Sequence, residues 1–115
     1  MAAETQYNQY KSVNGQIKIA RASVNNTTGD VIASVSGKRI FVLGLEVTAA
    51  AAQTLTLSSA SDTLGAYLNT TNKSFPLTPG PGPHDFAVHH QTASGEAFKA
   101  TTTQNTNFIV YYVTE

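Results

Sequence analysis

The sequence holds no cysteine, so neither disulfides nor a thiolate metal centre supports its fold. That absence fits synthesis in a reducing cytosol. Charge is also scarce: Asp, Glu, Lys and Arg make up 12% of the 115 residues, against a usual quarter or so. Seven basic and seven acidic side chains cancel to a formal net charge of zero. Lys38-Arg39 is the one adjacent basic pair. A nucleic-acid partner is therefore not expected, because its affinity would come from clustered Lys and Arg. No apolar run approaches the eighteen or so residues that cross a bilayer as a helix, so no membrane partner is expected. Met1 to Gln6 shows no basic start leading into an apolar core, so no secretion signal is expected. A chain of this length forms one domain. Near-zero charge also removes the self-repulsion that keeps copies apart.

What is present is alternation. The organising stretch is Arg39 to Ala49. Phe41, Leu43, Leu45 and Val47 give one unbroken apolar face, while the other face runs from Ile40 and Val42 through Gly44 to Glu46 and Thr48. A period of two predicts a strand. The change on the second face predicts that it starts covered on both sides and ends facing water on one. Ser36-Gly37-Lys38-Arg39 predicts that this strand leaves a hairpin with Val31–Val35.

Shorter alternating segments follow the same pattern. In Gln16–Ser23, Ile17 and Ile19 share one face while Lys18 and Ala20 share the other. Asn25 to Asp30 reads as a loop, and Ala49–Ala52 as a strand end with a tight connection. Leu55 and Leu57 point inward from Gln53–Ser59, and Leu64, Ala66 and Leu68 from Thr63–Asn69. Asn69–Asn72 reads as a turn, and Thr78–Pro83 as a rigid exposed crossover. Asn107–Thr114 is apolar on both faces, hence central or covered by another subunit. The sum is an all-β, antiparallel β-sandwich, jelly-roll-like, with eight or nine strands over residues 16–115. Residues 1–15 read as a terminus that is frayed in an isolated molecule, or as an extended amino-terminal arm that orders against a neighbouring subunit with Tyr7 and Tyr10 as anchors. Scarce charge leaves strand edges unguarded, so some are expected to be covered by other chains.

Chemistry is hard to find. His84, Asp85, His89 and His90 crowd seven positions, but on a strand His84 and His90 share one face while Asp85 and His89 share the opposite one. The two on one face would lie about 20 Å apart, too far for one metal ion. No catalytic, cofactor or metal residue is assigned, and no small-molecule substrate is expected. His89, His90 and Tyr111 join Tyr7 and Tyr10 as candidate protein-interface residues.

Ser36–Leu45, Gln53–Leu57, Thr92–Phe98 and Val110–Val113 together resemble small tailed-bacteriophage virion proteins. The shared features are a Gly-Lys-Arg-Ile opening of a long strand, a Gly-Glu-Ala turn late in the domain and an aromatic last strand. The resemblance spans residues 30 to 114; the chain departs from it at the Pro-Gly loop and at His89-His90. It implies a non-enzymatic decoration (cement) protein on the capsid surface, made in the bacterial host cytoplasm. It further implies a homo-oligomer, a trimer by preference, bound to the major capsid protein. Two rivals are a tail, fibre or receptor-binding module that recognises host glycan, and a cellular carbohydrate-binding sandwich.

Overall fold

The computed structural model describes residues 10–13, 17–60 and 62–115. Nine strands follow one another without a helix among the described residues: β1 (Tyr10–Ser12), β2 (Lys18–Asn25), β3 (Thr28–Ile32), β4 (Ile40–Ser59), β5 (Asp62–Phe75), β6 (Asp85–Ala87), β7 (His90–Gln91), β8 (Phe98–Thr101) and β9 (Asn105–Thr114). Every ladder is antiparallel. The all-β, antiparallel, sandwich-like architecture is thus met.

The organising stretch proves longer than its alternation showed. β4 runs for 20 residues and serves two groups of strands. Along one edge, Ile40–Ala49 pairs with β9, and further on Thr56–Ser59 pairs with β8. Along the other edge it pairs first with β7 and then with β5. β2 extends the sheet beyond β9, and β3 extends it beyond β8. One seven-stranded sheet, in the order β2-β9-β4-β8-β3 with β5 and β7 on the far edge of β4, therefore folds over on itself. Asn26, at φ 50°, carries the tight turn from β2 to β3.

Gln53 makes the crossing possible. Between the two halves of β4 the β9–β8 edge has no ladder partner, and the buried Gln53 side chain takes its place. Its Oε1 accepts from the backbone N–H groups of Thr103 (2.9 Å) and Gln104 (3.0 Å), and its Nε2 donates to Thr106 Oγ1 at 2.6 Å. Backbone groups that lose a strand partner inside a fold need such a substitute.

The main core lies between the folded halves. Val42, Leu45, Val110 and Phe108 from one half meet Leu55, Leu57, Phe98 and Ala100 from the other. A second, smaller core joins Val13, Leu43 and Val113 on the outer side of the first half, with Phe41, Phe86 and Val88 packed around it. The two-stranded β1–β6 sheet supplies the cover there. Lys11 of β1 reaches across it to Glu115 (2.6 Å) and over the Phe41 ring. The first half of β4 therefore does start covered on both faces and reach Glu46 and Thr48 exposed, whereas the strand as a whole ends buried at Leu57–Ser59.

Several sequence expectations need correcting. The apolar set Phe41–Leu43–Leu45–Val47 is not one face: a register shift between Val42 and Gly44 sends Leu43 to the outer core and Leu45 and Val47 to the main one. Bulges of this kind reverse the parity of every later side chain. Ala49–Ala52 is no connection but the middle of β4, and Asn69–Asn72 is no turn but part of β5. Thr28–Asp30 belongs to β3 rather than to a loop. β3 and β4 do not form a hairpin; β8 lies between them. Leu68 is 73% exposed, and Tyr67 packs on the core in its stead. A register shift between Leu57 and Ser58, opposite Leu64, accounts for that exchange.

Candidate functional site

The outer face of β2, β9 and β4 carries a graded set of solvent-facing side chains. Its inward side chains are Ala20, Ala22 and Val24 from β2, Phe108 and Val110 from β9, and Leu45 and Val47 from β4. The side chains between them face out and form rows across the three strands.

Those rows grade from apolar to polar. Nearest β1 and β6 lie Val113 and Leu43, already buried in the outer core. The next row is Ile19–Tyr111–Gly44, with Ile19 51% exposed. Arg21–Ile109–Glu46 follows, and then Ser23–Asn107–Thr48, where the Ser23 hydroxyl donates to Asn107 Oδ1. Gly44 is needed by close approach: a methyl group there would stand 3.0 Å from Tyr111 Cδ2 and 3.3 Å from the carbonyl oxygen of Phe75. The tyrosine ring lies over the bare backbone instead.

Two shallow depressions flank the Ile109–Tyr111 ridge. One is lined by Arg21, Ser23, Asn107 and Ile109, and the other by Glu46, Ser74, Leu77 and Tyr111. Neither is enclosed enough to exclude water from a reacting centre.

The five residues singled out by sequence fall in different places. Tyr7 lies outside the described residues. Tyr10 is 40% exposed on β1 and packs closely over Gly80, where a methyl group would meet its Cδ1 at 2.6 Å. Tyr111 lies on the outer face. His89 and His90 sit on the opposite edge of β4, in an aromatic cluster beneath β5.

That cluster is a packed unit. His90 stacks near Phe98 and sits edge-on to Phe75, with ring centroids 6.2 Å apart in each pair. Its Nε2 shares a hydrogen bond of 2.9 Å with the Tyr67 hydroxyl. Burial, with a smaller push from the neighbouring His89, lowers the His90 pKa to about 4. The ring is therefore neutral at pH 7, and burial likewise raises the pKa of Tyr67. His89 donates through Nε2 to the Pro76 carbonyl (3.2 Å), since a carbonyl can only accept. Lys73 Nζ stands over both the Tyr67 and Phe75 rings. Among the described residues no group of three or more His, Cys, Asp or Glu could hold a metal ion. The backbone at Lys38-Arg39 is tied into the fold: the Lys38 N–H donates to the Val35 carbonyl, and Arg39 exchanges backbone bonds with Glu115.

Sequence reasoning missed Ile19, Arg21, Ile109 and Glu46 as one surface. Alternation in each strand was visible, but only the register between distant strands places the three rows side by side.

No protein-family model and no curated protein matches the sequence. Among solved structures, the chain is similar to one from the acid-stable capsid structure of the Helicobacter pylori bacteriophage KHP30, with a TM-score of 0.55 and 10% identity. The match covers 92% of this chain and 98% of that one, so the two share a fold over nearly their whole lengths.

Proposed function

We infer that this protein is a structural component of a bacteriophage particle, a decoration (cement) protein that binds the head between capsomers. The observation that carries the reading is the end-to-end likeness to a chain of a phage capsid structure. The neutral surface and the apolar-to-polar outer face agree with that role.

The work is adhesion. The chain binds the major capsid protein as a homo-oligomer, each copy adding a modest interface. Contacts linked through one shell reinforce one another through effective concentration, so weak single interfaces add up to a stable lattice. The residues before β1 contribute an arm to that attachment, Tyr10–Val13 being built into the domain itself.

The direct test mixes purified protein with heads of the parent phage that lack it, followed by sedimentation. Saturable co-sedimentation, with heads that then withstand higher temperature, is expected. Protein that stays in the supernatant at every concentration, yet is retained by host cells, would replace this reading with the receptor-binding one.

A further inference from the structure

Ile109 occupies the middle of its row on the outer face. Arg21 is its direct neighbour on β2, and Glu46 is its direct neighbour on β4. Adjacent strands lie about 4.8 Å apart, so two opposite charges stand at equal strand spacing on either side of one half-buried apolar side chain. Both charges are exposed. Neither takes part in the ion pairs found among the described residues, Lys11–Glu115 and Lys99–Asp30.

The row beside it is unequal in shape rather than in charge. On the β2 side Ile19 projects into solvent. On the β4 side Gly44 has no side chain to project, and Tyr111 and the 37%-exposed Leu77 lean over its backbone. One flank thus offers a cation and an apolar projection, and the other an anion and a flat apolar floor.

We propose that this face is self-complementary and receives the same face of a second copy of the chain, about a two-fold axis that runs along β9 above Ile109. Sheets packed face to face keep their strands within about 30° of each other, so such an axis is compatible with ordinary sheet packing. Rotation about it lays β9 over its own image and β2 over the second copy's β4. Arg21 of each copy then meets Glu46 of the other. Ile109 meets Ile109, and Ile19 settles on the Leu77–Tyr111 floor. A two-fold contact demands this reciprocity, in which one residue touches a second and the second's image touches the first. Zero net charge leaves no general repulsion to oppose it. The contact joins two copies, and so differs from the three-copy arrangement that the family resemblance implies.

Two rim ion pairs confer register and specificity more than strength. Free protein is therefore expected to self-associate weakly, and copies concentrated on one surface to pair readily. The inference does not rest on the virion reading, and its test needs no capsid.

Sedimentation equilibrium of the free chain should show a monomer–dimer equilibrium. Arg21→Glu and Glu46→Arg should each weaken it by at least about tenfold, because each places like charges face to face. Mixed in equal amounts, the two variants should pair with each other, since every contact in the mixed dimer joins Glu to Arg. The double variant Arg21→Glu/Glu46→Arg should dimerise like the parent, and melting curves check that each variant is folded. A parent chain that stays monomeric at its solubility limit would overturn the proposal. So would single variants that dimerise unchanged, or a mixture and double variant that both remain monomeric.

Discussion

At the scale of single residues, Leu43 shows how one backbone irregularity redirects an apolar pattern. It has no exposed surface, and it lies in the outer core rather than the main one because the register shifts between Val42 and Gly44. The outer core has few members, so a hole there has little with which to refill. Leu43→Ala is expected to cost about 2–5 kcal/mol, the sum of lost transfer energy and an unfilled cavity. Urea unfolding of the variant measures it. A loss below about half a kcal/mol would mean that the β1–β6 cover adds nothing to stability.

Among the elements, β4 is the one that turns a flat sheet into a folded one, and Gln53 is the side chain on which that turn depends. Gln53→Ala would leave the Thr103 and Gln104 amides without the acceptor seen here, while the Thr106 hydroxyl would lose the bond it accepts but keep the one it donates to the Gln104 carbonyl. A cost of about 1–3 kcal/mol is expected from the unsatisfied groups. Slower hydrogen exchange at Thr103 and Gln104 in the parent than in the variant would locate the effect, and equal exchange would refute it. This element also marks what the sequence could reveal. Its first half, its Leu55–Leu57 half and the central place of Phe108–Val113 were legible from period-two alternation. Their continuity was not, because Ala49–Ala52 has no apolar contrast and reads as a break. The register shifts at Val42/Gly44 and Leu57/Ser58 were invisible for a different reason: a one-residue offset leaves composition unchanged while reversing every later side chain. The Arg21–Ile109–Glu46 row was hidden because it joins residues from three distant parts of the chain.

For the whole molecule, pH is the sharpest lever. The His90 pKa of about 4 lies below the ordinary histidine value of 6.5, so the folded state resists a proton that the unfolded chain accepts. Stability from this group is complete above pH 6.5, falls as pH drops from there to about 4, and changes no further below that. The span corresponds to about 3 kcal/mol. The groups facing the ring are the Tyr67 hydroxyl and His89, with Lys73 above the neighbouring aromatic rings, and none offers a compensating negative charge at that pH. Urea titrations at several pH values should show the parent losing more stability than His90→Gln over this window. Parallel losses would remove His90 as the cause. The position of β9 carries a last consequence. The middle strand of the first half comes from the end of the chain, and its partners on β4 lie more than fifty residues earlier. Until Thr114 has been made, β2 and β4 have no neighbour to join them. Assembly of this half must therefore await β9, and a chain cut short before Asn105 would leave β2 and β4 unjoined there, while β4 keeps its ladders with β5, β7 and β8.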